Sequence, residues 1–212
     1  PSFATTTDQG VLSYSSEAGG NYNYHSWYVD YTDDIYVGYR YYETAYADMN
    51  KEEAGSGDAW YDENVVYPFG YGLSYTDFEW RITNVDNAPG ELPVDGKITV
   101  TVEVTNTGDV AGKDVVELYY TAPYGDETTN GSEIEKAHVV LGDFAKTEVL
   151  QPGAKGTVQL ELYVQDMASY DAYNDNGNGH TGYELDPGEY SLFVSRNAHD
   201  LGPVVEDETG KF

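Results

Sequence analysis

Carboxylates outnumber every other side chain that could do chemistry in this chain. Its 212 residues hold 38 Asp and Glu, four His and no Cys, so thiol chemistry and disulfides have no residue to run on and paired acids are the first thing to weigh. Adjacent pairs that could be nominated are Asp33 with Asp34, Glu52 with Glu53 and Asp62 with Glu63. All lie in polar stretches, where carboxylates are solvated and lack the burial that lifts an acid's pKa for proton donation. The histidines, His25, His138, His180 and His199, are scattered, and no serine sits in a nucleophile elbow. The oxygen-rich stretch Asp171–His180 is tested as a cation loop, but the frame ending at Gly177 puts Ala172, Asn174 and Asn176 at the alternate ligand positions, and the first cannot ligate. It reads as an Asn/Gly insertion between strands. Asn130-Gly131-Ser132 fits a glycosylation sequon and equally a turn. No catalytic, cofactor-binding or metal-binding residue is assigned.

The formal charge of −28, with only ten Lys and Arg opposing the acids, repels nucleic acid and anionic membrane surfaces and favours solubility in a crowded solution. No run of about 20 apolar residues occurs, and Pro1–Gly10 lacks the basic start and apolar stretch of a signal peptide. The expectation is no membrane span, with a cytoplasmic and a secreted location both open. Tyrosine is abundant at 22 residues, which suits half-buried strands, domain seams and sugar-facing clefts alike.

The elements that must position these residues divide near Thr76. After it, Phe78, Trp80, Ile82 and Val85 suggest one strand, and Ile98, Val100, Val102 and Val104 alternate with Thr99, Thr101 and Glu103 in the clearest strand of the chain. Val115–Thr121 follows a turn at 106–108, with Val116, Leu118 and Tyr120 on one face and Val115, Glu117 and Tyr119 on the other. Further strands are expected at His138–Phe144, Thr157–Val164 and Glu189–Val194, the last two preceded by Pro-Gly turns at Pro152-Gly153 and Pro187-Gly188. Residues 77–200 read as a mainly β, immunoglobulin or fibronectin type III-like sandwich of about seven strands. Residues 1–76 do not make a domain alone. They hold an extended run at Ile35–Tyr42, a second near Tyr67–Phe69 and a polar loop at Lys51–Asp58, and read as an incomplete α/β tail or extended arm. Residues 201–212 read as a linker or tail.

Two segments carry a resemblance to a known family. Asp34-Ile35-Tyr36-Val37-Gly38-Tyr39-Arg40-Tyr41-Tyr42-Glu43 and Tyr67-Pro68-Phe69-Gly70-Tyr71-Gly72-Leu73-Ser74-Tyr75-Thr76, in this order before a sandwich, resemble segments of family 3 glycoside hydrolases of the β-glucosidase type. Thr105-Asn106-Thr107-Gly108, Leu141-Gly142-Asp143-Phe144, Asp166-Met167-Ala168-Ser169-Tyr170-Asp171 and Pro187-Gly188-Glu189-Tyr190 are similar to the fibronectin type III-like domain of the same family.

The resemblance implies that the chain is the end of the α/β sandwich domain plus the fibronectin type III-like domain. In that family two carboxyl groups about 5 Å apart cleave the glycosidic bond with retention. The family's nucleophilic Asp lies in a separate barrel domain in a Ser-Asp-Trp context, and its acid/base Glu lies upstream of the motifs present here. Neither context occurs, since Trp27, Trp60 and Trp80 have other neighbours. The expected role is a non-catalytic structural module whose partners are the barrel and α/β domains of the parent hydrolase, with no cofactor. Two long loops, Ala122–Glu135 and Asp171–Gly182, could meet an oligosaccharide at the active-site rim. Tyr39, Tyr41 and Tyr42 with Arg40 are expected in a packed seam, the guanidinium stacked on rings and paired with a carboxylate. The alternative is a carbohydrate-binding or cell-surface adhesion module. Most relatives carry this sandwich at the C-terminal end, and some bacterial ones are permuted with the barrel after it.

Overall fold

The computed structural model describes the backbone of residues 13–15 and 26–28, and residues 33–87, 90–124, 133–202 and 205 in full. His25, the sequon at Asn130, most of the loop 122–135 and most of the tail 201–212 lie outside the described residues. Ser13–Ser15 (β1) and Ser26–Tyr28 (β2) pair antiparallel. Two helices follow, Tyr39–Glu52 (α1) and Ser56–Asn64 (α2).

Six strands then form two antiparallel sheets. Phe78–Asp86 (β3), Lys97–Asn106 (β4) and Lys155–Tyr163 (β7) make one, in the order β3-β4-β7. Val115–Thr121 (β5), Val140–Lys146 (β6) and Ser191–Ser195 (β10) make the other, in the order β10-β5-β6. A hairpin, Ser169–Asp171 (β8) with Gly182–Glu184 (β9), follows a short 3-10 turn at Val164–Met167. The period-two alternation of β4 is what the sandwich needs: Ile98, Val100, Val102 and Val104 all face the core, against Val116, Leu118, Leu160 and Leu162 from the strands opposite and beside it. Each fully buried aliphatic side chain contributes about 1.5–3 kcal/mol.

The expected strands are found within a few residues of their places, and β5 shows the expected faces with one addition. A register shift at Leu118/Tyr119 leaves Tyr119 buried on the outer face of its sheet, in a second apolar cluster with Val139 and Ala198. Tyr39 packs on that cluster, so the helical arm covers the sandwich's flank there.

The first third is the main correction. Ile35–Tyr42 is not an extended run, and Tyr67–Phe69 is not a strand. Residues 33–35 form a turn, Gly38 takes a positive φ of 64°, and α1 starts at Tyr39. Aromatic and β-branched residues gave the segment a strand-like composition. Beyond Gly38 the buried positions Glu43 and Ala47 follow Tyr39 at four-residue spacing, and that helical face is what packs. Lys51–Asp58 is not a loop throughout: α1 runs to Glu52 and α2 begins at Ser56. Asn50 Oδ1 accepts from the N–H groups of Gly55 and Gly57, both at 3.0 Å, which supplies the acceptor that the start of α2 requires.

Candidate functional site

The densest chemistry of the described residues lies where the helical arm meets the β10–β5–β6 flank. It is built as three knots of side chains.

The first joins both helices to the turn after β10. Glu43 of α1 is 2% exposed. It accepts a hydrogen bond of 2.5 Å from Tyr61 Oη of α2, and its other oxygen lies 2.9 Å from His199 Nδ1. A carboxylate oxygen facing Nδ1 selects an imidazole with its proton there. The Tyr61 ring stacks on His199 at 3.7 Å, and Tyr46 meets both edge-on. Burial first, then the hydrogen bond to Glu43, pushes the Tyr61 phenol far above its ordinary range, so it stays a donor. The buried carboxyl is thus held on both oxygens.

The second knot ties down the segment after α2. Phe69 stacks on Tyr39 at 4.4 Å, Tyr39 Oη accepts from Leu141 N–H at 2.9 Å, and Phe69 C=O accepts from Ala198 N–H at 2.9 Å. Gly70 has a φ of 92°, and a Cβ there would run into the Glu117 carboxylate and come within 2.9 Å of Asn197 Cα. Glu117 accepts from Tyr119 Oη at 2.7 Å. Burial lifts the Glu117 carboxyl above its usual range, and the Tyr119 hydrogen bond offsets part of that.

The third knot is at the entrance to the sandwich. Arg196 lies 4.1 Å from the centre of the Trp80 ring, donates to Asp114 Oδ2 at 3.0 Å and to Phe78 C=O at 2.9 Å, while Trp80 Nε1 donates to the same Asp114 oxygen at 2.7 Å. This is the guanidinium, ring and carboxylate arrangement that sequence reading expects of Arg40. Arg40 does not make it: Tyr39 goes to Phe69, Tyr41 and Tyr42 meet Trp60, and the Arg40 side chain points elsewhere. Beside this knot Thr76 Oγ1 donates to Asn106 Oδ1 at 2.7 Å, and Asn106 Nδ2 spans to the carbonyls of Val110 and Leu150, fixing where the connecting segment enters β3.

The nominated acid pairs are not brought together with these knots. Asp34, Glu52, Glu53, Asp62 and Glu63 are exposed, and Asp33 is half-buried in a turn. Three buried carboxyls have structural partners. Besides Glu43, Asp186 lies 2.5 Å from Lys136 Nζ, and both are at most 5% exposed. Asp171 is fully buried and accepts from the backbone N–H groups of Tyr173 and Asp175 at 3.1 and 3.0 Å. Burial alone would raise the Asp171 pKa, but the backbone donors of Asp175, Asn176, Tyr173 and Asn174 outweigh it and the net shift is downward. Among the described residues no group of three His, Cys, Asp or Glu could hold a metal ion, and no helix is long and apolar enough to cross a membrane.

The comparisons with known proteins agree with this architecture. Residues 114–198 match the family described as fibronectin type III-like domain. The match begins after β4, yet β4 pairs along its length with β7 inside it, so the fold extends upstream of the matched residues. The chain is 42% identical over 183 residues to β-glucosidase A of Butyrivibrio fibrisolvens, covering 82% of this chain and 19% of that one. A β-glucosidase of Ruminococcus albus is 38% identical over 191 residues, 88% of this chain and 17% of that one. Among solved structures, a β-glucosidase from Paenibacillus barengoltzii superposes with a TM-score of 0.66 at 38% identity, over 86% of this chain and 17% of its own. The chain belongs to the β-glucosidase type of family 3 glycoside hydrolase, as the segment that carries the fibronectin type III-like domain. It spans about a fifth of the length of the relatives it matches.

Proposed function

We propose that this chain is a non-catalytic buttress of a β-glucosidase-type hydrolase, in which the sandwich clamps the end of the α/β layer and presents it to the other catalytic domains. In this reading residues 1–76 are the end of the α/β layer and its linker, 77–200 the sandwich and 201–212 a tail. The nucleophile and the acid/base come from the barrel and α/β domains of the longer protein, which hydrolyses terminal β-linked sugars with retention.

One observation carries the reading. Along the connecting segment Val66, Leu73 and Tyr75 are 84%, 89% and 97% exposed, with Tyr67, Phe69 and Tyr71 also open. The segment is nonetheless pinned, by Phe69 to Ala198 and by Thr76 to Asn106, and Tyr67 stacks on Tyr71 at 4.7 Å. An apolar strip held in place and left uncovered is a preorganised docking edge. Its partner on this reading is the remainder of the hydrolase, four-fifths of the length of the relatives. The test is a chromogenic aryl β-glucoside incubated with the purified chain. No turnover is expected, and turnover abolished by neutralising one of the chain's own Asp or Glu residues would sink the proposal.

A further inference from the structure

A cleft of about 260 Å³ opens where Ile35 and Arg40 of the arm meet β5, the 3-10 turn and the β8–β9 hairpin. Its chemistry is mixed in a specific way. Arg40 is half-buried, and among the described residues its guanidinium has no hydrogen bond, ion pair or stacked ring, in a chain with 38 carboxylates to offer. Its charge reaches the cleft floor: burial raises the Tyr120 phenol to about 12, and Arg40 offsets part of that rise. The exposed carboxylates of Glu135 and Asp166 line the same cleft. At the mouth Tyr170 and Tyr183 meet edge to face at 5.1 Å and are 56% and 76% exposed, leaving ring surface free. Lys136 also lines the wall, but Asp186 holds it.

We propose that this cleft binds one neutral pyranose unit. A pyranose offers an apolar ring face to an aromatic mouth and a dense set of hydroxyls that both donate to carboxylates and accept from a guanidinium. Arg40 balances one of the two free acids and Lys136 is neutralised by Asp186, so the lining gives no net attraction for an anion, and the −28 charge of the chain repels one. The volume is below the roughly 300–1,000 Å³ of clefts that take drug-sized ligands, which limits the occupant to a single ring. A ligand of that size in an open cleft binds with a Kd on the order of millimolar. The proposal does not depend on the buttress reading, because a chain that failed to dock on a hydrolase would still hold the sugar.

The experiment is a titration of the isotope-labelled 212-residue chain with methyl β-D-glucopyranoside, followed by amide NMR, with glycerol as the acyclic polyol control. The expected result is saturable shifts centred on Arg40, Tyr170 and Tyr183, absent with glycerol. Tyr183→Ala and Arg40→Gln should each weaken binding about tenfold. Tyr183 is exposed enough that its variant keeps the fold, so it decides the matter if the Arg40 variant does not. Shifts that grow without saturating, that glycerol reproduces, or that survive Tyr183→Ala undiminished would overturn the proposal.

Discussion

Replacing Lys136 with Met takes from Asp186 the ammonium that it pairs with in the sandwich wall. The two side chains are 3% and 5% exposed and 2.5 Å apart, and Lys136 also donates to Ile134 C=O at 3.1 Å. Breaking one side of so buried a pair costs about 3–5 kcal/mol, because the remaining ion keeps its desolvation penalty and loses the lysine that offsets it. Against a total stability of roughly 5–15 kcal/mol, that is a large fraction. For a chain of this size it lowers the melting temperature by about 10 °C, at about 2–4 °C per kcal/mol. Removing both charges, as Lys136→Met with Asp186→Leu, should recover most of the loss, since an apolar pair of similar volume carries no desolvation cost. Urea and thermal unfolding of the two variants measure this directly, with an unchanged urea slope as the sign that only stability has moved. A single variant that loses less than about 1 kcal/mol, or a double variant no better than the single, would refute the reasoning.

Two further outcomes follow from the seam and the hairpin. Gly70→Ala should destabilise the chain by about 1–3 kcal/mol, read by urea unfolding, because its φ of 92° and the crowding by Glu117 and Asn197 leave no place for a methyl group. Asp171 has a folded pKa below its ordinary value of 3.8. Its contribution is therefore full above that value and lost as pH falls through the lower folded one. The melting temperature of Asp171→Asn should fall below that of the unsubstituted chain at pH 6, and the gap should narrow below about pH 4. A gap that widens on acidification would contradict the assigned direction.

Much of the sandwich is legible because strands such as β4 and β7 write a two-residue period into the chain. Ile98–Val104 alternates so cleanly that its buried face could be named before its neighbours were known. The helical arm was not legible for the opposite reason. Tyr39–Glu52 has aromatic residues on several sides, and its true face, Tyr39, Glu43 and Ala47, includes a carboxylate that reads as solvent-facing until Tyr61 and His199 are seen around it. Those partners lie 18 and 156 residues away in the chain, and no local pattern links them. A shared lesson comes from the arginines. The ring-stacked, carboxylate-paired arginine expected from the Tyr-Arg-Tyr-Tyr run exists, but it is Arg196: the pairing of β10 with β5 brings it to Asp114 across 82 residues, and the packing of the two sheets brings Trp80 to both. Asp171, the first residue of the oxygen-rich stretch tested as a cation loop, closes that loop on backbone N–H groups.

In the buttress reading, the pinned, uncovered strip around Val66, Leu73 and Tyr75 is an edge for the rest of a hydrolase. The direct measurement is complementation. A version of the longer enzyme lacking the residues of this chain is mixed with the separately purified chain, and complex formation, melting temperature and aryl β-glucosidase activity are followed together. The buttress reading requires a stable complex with raised melting temperature and recovered activity, lost when Leu73 and Tyr75 are replaced by Ser. A truncated enzyme that is already as stable and active without the chain, or a complex indifferent to those two substitutions, would contradict it.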